Sequence, residues 1–121
     1  MVWWVALAGA VGALARFGVH AAVQSRTASR FPYGTIVVNV TGSFALGVLV
    51  GLVTYQGLGA DVRTIVGTGF LGAYTTFSSY SYDTFGLGES GATRAAVANA
   101  VGSVAVGLVA ATAGFALAGV V

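Results

Sequence analysis

Apolar residues run along this chain in four long blocks, at about residues 2–23, 34–55, 63–85 and 95–119, separated by short polar links. Each block holds about 20 residues, the length at which an α-helix rising 1.5 Å per residue crosses a hydrocarbon core of roughly 30 Å. The alternating ten-residue segments of a membrane barrel are missing, so the pattern predicts an all-α integral membrane protein of four transmembrane helices. The links QSRTASRFP, QGLGADVR and GLGESGATR join the blocks in turn, and residues 1–121 read as one four-helix membrane domain with no soluble part. Val2, Trp3 and Trp4 open the first block as an interfacial aromatic anchor. No charged segment precedes that block and Arg16 lies inside it, so it is expected to be a retained span and not a cleaved leader. A lone four-helix bundle leaves little room along its axis, so a transport function would require an oligomer.

Polar positions inside these blocks change the picture, because each is costly in lipid and turns toward a partner or a water-filled path. In the second block Thr35, Asn39 and Ser43 recur every four residues and share one helix face. Asn39 carries the strongest signal of the three, since an amide buried in a span needs several hydrogen-bond partners. In the fourth block Asn99, Ser103, Gly107 and Ala111 repeat that spacing, polar at one end and merely small at the other, which suits helix packing first. The third block departs furthest. Its stretch GFLGAYTTFSSYSYDTF, Gly69 to Phe85, crowds Ser, Thr, Tyr and Phe into an otherwise apolar chain.

Gly67, Gly69 and Gly72 soften a helix just ahead of Thr75 and Thr76, whose β-branched hydroxyl side chains weaken it further, so a helix break is expected there. Breaks at membrane depth survive only where protein or a polar cavity satisfies the freed backbone, and freed carbonyls can bind a hard cation. Just beyond, Thr76, Phe77 and Tyr80 stand three and four residues apart, which lets hydroxyls and ring edges share a face. Ring edges carry partial positive charge. Together with hydroxyl and amide donors they would receive a small dehydrated anion without a fixed charge to trap it.

Composition narrows the class. The chain is 57% hydrophobic and 7% charged, with mean hydropathy +0.91, far from the balance of a soluble domain. Nineteen Gly against one Pro fit closely packed membrane helices. Five scattered Arg and no Lys exclude a nucleic-acid surface, and the absence of Cys excludes disulfides and thiolate metal sites. Asp61, Asp83 and Glu89 fall in links or near span ends, so no span is expected to hold the mid-membrane carboxylate that proton-coupled transport usually needs. Arg16 is the one charge deep in a span. It reads either as snorkelling to the interface or as an anion-attracting vestibule or brace, with His20 one turn on read as interfacial. No phosphate loop, zinc ligand set or nucleophile triad occurs, and GAVGALARFG lacks the strand context of a nucleotide fingerprint, so no enzyme is expected.

The segments GAVGALARF (Gly9 to Phe17), PYGTIVVNVTGSFALG (Pro32 to Gly47) and GTGFLGAYTTFSSYSYD (Gly67 to Asp83) resemble the small fluoride channels of the Fluc or CrcB family. The likeness covers nearly the whole chain. It implies four helices per subunit with the third helix broken, and a dual-topology antiparallel dimer with two fluoride pores along the subunit contacts. By motif, Asn39 matches the family's pore asparagine and Phe77 its first pore phenylalanine, with Thr76, Ser78 and Ser79 in the hydroxyl-rich part of the same track. Gly72 and Thr75 align with the break whose backbone carbonyls, from both subunits, hold a structural sodium ion. Arg16 matches a first-helix arginine and Ser103 a fourth-helix polar position. Asp83 stands where the family usually has glutamate.

Two positions depart from the family pattern. Tyr80 replaces the expected second pore phenylalanine, keeping a positive ring edge and adding a hydroxyl donor, and Ala73 replaces a common glycine. The second subunit is expected to be either another copy or a paralogue. Arg26, Arg30 and Arg94 lie in the first and third links against Arg63 in the second, a three-to-one bias that favours both termini outside and is small enough to allow dual insertion. The resemblance implies passive export of fluoride across a bacterial plasma membrane, relieving fluoride toxicity. A small dual-topology proton-coupled exporter of cationic compounds is the alternative, disfavoured by the missing carboxylate, and a structural subunit without transport leaves the polar track unexplained.

Overall fold

A computed structural model describes all 121 residues, which form helices joined by short turns. Helix α1 covers Val2–Gln24 and α2 covers Tyr33–Gln56. The next stretch, α3 (residues 60–74), opens as α-helix over Ala60–Val62, widens to a π-helix over Arg63–Leu71 and closes as α-helix over Gly72–Tyr74. Helix α4 covers Phe77–Glu89 and α5 covers Thr93–Val120. Three of these, α1, α2 and α5, are long and apolar enough to cross a membrane.

Helix ends follow local chemistry. Gly57 ends α2 in the left-handed region at φ 65°, which costs a glycine little, and the Leu58 N–H returns to the Leu52 carbonyl at 3.4 Å. At the other end of α2 the Gln24 side chain bridges from α1. Its Oε1 accepts the Gly34 N–H at 3.0 Å and its Nε2 donates to the Phe31 carbonyl at 3.4 Å, so an open helix start gains a partner.

Backbones approach wherever a side chain is missing. Helices α2 and α5 make the most extensive contact in the fold. Along it, a Cβ on Gly47 would strike the Ala111 carbonyl and one on Gly114 the Phe44 carbonyl. Helix α1 packs on α3 in the same manner, with Gly12 against the Phe70 carbonyl and Gly69 facing Ala8 and Val5. Lipid gives apolar helices no solvent-driven reason to associate, so close dispersion contact along small-residue seams supplies the cohesion. The large side chains Trp3, Trp4, Leu14 and Phe17 of α1 point outward, as do Val101, Leu108 and Val109 of α5.

Gly114→Ala should force α5 off α2 and destabilise the fold by roughly 1–3 kcal/mol, the usual range for overpacking. Gly102, with open space where a Cβ would go, provides the control. Thermal unfolding in detergent should show a lowered midpoint for Gly114→Ala and none for Gly102→Ala.

Candidate functional site

The site forms where α3 stops and α4 begins. Thr75 (φ −79°, ψ 156°) and Thr76 (φ −144°, ψ 118°) are extended between the two helices. Both are β-branched, which suits that backbone. Asn39 of α2 meets the extended pair edge-on. Its Oδ1 accepts the Thr76 N–H at 2.8 Å and its Nδ2 donates to the Thr76 carbonyl at 2.8 Å. One side-chain amide thus satisfies both backbone groups of a buried residue, as a neighbouring strand would. The Thr76 hydroxyl then caps α4 by accepting the Ser79 N–H at 3.0 Å. The residue facing the break on α2 is Gly42, with the Thr75 methyl in the space a Cβ would need.

These bonds redirect the helical ladder. In a continuous helix the Gly72 carbonyl would take the Thr76 N–H and the Thr75 carbonyl the Ser79 N–H. Here those donors go to Asn39 and to the Thr76 hydroxyl. The Gly72 and Thr75 carbonyls therefore lose the donors that a continuous helix would give them.

Beside the break an open groove of about 550 Å³ runs between α2, α3, α4 and α5. Asn39, Ser43, Thr76, Phe77, Tyr80 and Ser103 line it, over a floor of Gly42, Gly107 and Ala111. The Phe77 ring is 78% exposed and stands 5.6 Å from the Tyr80 ring, centroid to centroid, at 46°. Between α4 and α5 lies a polar network centred on the buried Asn99. Tyr80 donates its hydroxyl to the Ala100 carbonyl at 2.6 Å, Asn99 Nδ2 donates to Thr84 Oγ1 at 2.7 Å, and Ser103 Oγ donates to Asn99 Oδ1 at 3.0 Å. Every buried side-chain nitrogen and oxygen has a partner.

Of the residues singled out from the sequence, Asn39, Thr76, Phe77, Tyr80 and Ser103 converge on the groove, with Gly72 and Thr75 also on its wall. Ser78, Ser79 and Arg16 do not line it. Ser78 is exposed, Ser79 is half-buried with its N–H on Thr76, and Arg16 is half-buried on α1, a helix that contributes nothing to the groove. The phenol of Tyr80, expected as an added donor for an anion, is committed to Ala100, so its ring is what lines the groove. Asp83, expected near a span end, instead lies well inside α4, because the helix runs on to Glu89. There it is half-buried and accepts the hydroxyl of Thr35, itself 2% exposed, at 2.9 Å. Asn99, read first as packing, is the hub of the α4–α5 network. Its Asn-x-x-x-Ser spacing was the available signal, but the partner Thr84 sits on another helix.

A family model described as CrcB-like protein, Camphor Resistance (CrcB), matches residues 3–115. A protein of Leifsonia xyli subsp. xyli named fluoride-specific ion channel FluC 1 is 44% identical over 115 residues, covering 95% of this chain and 84% of its own. A FluC 1 of Symbiobacterium thermophilum is 46% identical, covering 93% of each chain. A FluC 2 of Mycobacterium tuberculosis is 47% identical over 110 residues, covering 91% of this chain and 84% of its own.

Replacing Asn39 with Leu should leave the Thr76 N–H and carbonyl buried without partners, at about 1–3 kcal/mol for each group. Hydrogen exchange read by mass spectrometry should then show faster exchange across residues 75–79 than in the unsubstituted protein, with the α2–α5 contact still protected.

Proposed function

The chain belongs to the CrcB-like family, and from that premise we propose that it works as a fluoride-selective channel whose path runs along the groove beside the Thr75–Thr76 break. It is a multi-pass protein of a bacterial membrane, and the reading places it in the plasma membrane, where it lowers internal fluoride. The observation that carries the reading is the convergence of Asn39, Thr76, Phe77, Tyr80 and Ser103 on one open groove. Relatives named as ion channels make enzymatic chemistry the wrong frame, and nothing favours the proton-coupled exporter.

At 13 residues α4 spans about 20 Å, short of a hydrocarbon core, so α3 and α4 are read as halves of one broken third span. The groove is open on one side in a single chain, and the exposed Phe77 ring needs a cover. A second subunit inserted in the opposite orientation would supply it and, by symmetry, enclose two such paths. In each, fluoride sheds water against the second proton of Asn39 Nδ2, the hydroxyls near Thr76, and the ring edges of Phe77 and Tyr80. Several weak, uncharged contacts allow the ion to leave as well as enter. Arg16 lies off the groove and would act only through the field at its mouth. Hydrogen fluoride enters cells neutral and ionises inside, so an inside-negative potential drives the anion out with no other energy source.

The carbonyls of Gly72 and Thr75 suit a sodium ion, since both have lost their helical donors. A hard cation takes about six oxygens, and two from one chain fall short, which is the reason to expect the same pair from a second subunit. Bound there, the ion would supply positive charge that holds the two breaks together.

Two measurements test this reading. In liposomes loaded with fluoride and followed by an ion-selective electrode, with a potassium ionophore to dissipate charge, the protein should release fluoride rapidly and chloride hardly at all, and Phe77→Ala should abolish release. A folded, reconstituted protein that releases no fluoride would sink the channel reading. Exchange of sodium for N-methylglucamine throughout purification should shift the dimer toward monomer in light scattering, and unchanged dimers would remove the sodium assignment while leaving the groove in place.

A further inference from the structure

The Ser103 hydroxyl lines the groove, yet the direction of its proton is fixed from behind. A backbone carbonyl only accepts, so Thr84 Oγ1, 2.8 Å from the Tyr80 carbonyl, must donate its one proton there. Thr84 then has only lone pairs to offer Asn99, 2.7 Å away, and must receive from the amide nitrogen. That places the amide oxygen at the other end, facing Ser103 at 3.0 Å. Ser103 must therefore donate its own proton to Asn99, away from the groove. Each step follows from what an atom can chemically do, and Asn99 itself is 1% exposed.

An anion in the groove consequently meets the lone pairs of Ser103 and not its proton. We propose that Asn99 is a positioning residue that sets the polarity of Ser103, so that the Ser103 hydroxyl engages passing fluoride only by rotating from Asn99 Oδ1 to the ion and then returning. The rotation is about one bond and needs no backbone movement. It gives the groove a donor that engages the anion in transit and is recaptured afterwards, which shortens the ion's stay. Thr84 acts at one remove. It does not line the groove, but it determines which end of the amide faces Ser103.

This inference rests on the fluoride reading above. It predicts a specific pattern in efflux measured over a range of fluoride concentrations. Thr84→Val keeps the side-chain shape and removes the acceptor, which frees the Asn99 amide to turn its nitrogen toward Ser103 and release the hydroxyl into the groove. The half-saturating fluoride concentration should fall by about threefold or more, the factor that one ordinary hydrogen bond sets, while the maximal rate also falls. Asn99→Leu, which leaves Ser103 without any partner in the network, should move both quantities the same way and stands in if the valine variant does not assemble. On a Ser103→Ala background neither change should alter half-saturation. A shift that persists without the Ser103 hydroxyl, or variants that lower the rate with half-saturation unchanged, would reduce Asn99 to a packing residue and overturn the proposal. Absence of fluoride efflux from the unsubstituted protein would instead remove the channel reading on which it depends.

Discussion

One side-chain amide holds the groove open. Two extended residues inside a membrane protein expose a peptide unit that lipid cannot satisfy, and such a unit would normally drive the chain back into helix. Asn39 removes that penalty by bonding the Thr76 N–H and carbonyl together. The chain can then end one helix and start another there. Helix α4 turns Phe77 and Tyr80 to the groove, and the Gly72 and Thr75 carbonyls lose the donors a continuous helix would provide. The proposed pore wall and the proposed cation-binding surface are in this sense two consequences of one interaction.

Close packing elsewhere keeps that interaction in register. The glycine seam between α2 and α5 fixes the helix that carries Asn39 against the helix that carries Ser103. Helix α4 is bound to α5 by Tyr80 on Ala100 and by Asn99 on Thr84, and to α2 by Asp83 on Thr35. Polar networks and small-residue contacts thus surround a groove whose own lining is entirely uncharged. That division suits conduction, in which the walls must stay in place while the ion is held weakly.

Much of this was legible in the sequence, and the remainder was hidden for identifiable reasons. The helices α1, α2 and α5 follow from apolar runs of membrane-spanning length, and Asn39 stood out because a buried amide demands partners. The π-helical widening over Arg63–Leu71 was not legible, since no period in the residues distinguishes it from α-helix. The inward position of Asp83 is not legible because the polar run after Phe85 reads as a link, whereas the helix runs on to Glu89 before Gly91 turns the chain at φ 90°. The commitments of Tyr80 and Asn99 join residues 20 and 15 apart on different helices, and spacing within one helix carries no trace of them.

The central claim is passive, selective passage of fluoride through a path that contains no titrating carrier. Current recorded across a planar bilayer containing the purified protein, with unequal fluoride on the two sides, tests it most directly. The account predicts a reversal potential at the fluoride equilibrium value, unmoved by a chloride gradient or by a pH difference across the membrane. A reversal potential that follows the proton gradient, or a fluoride current that vanishes without one, would contradict it.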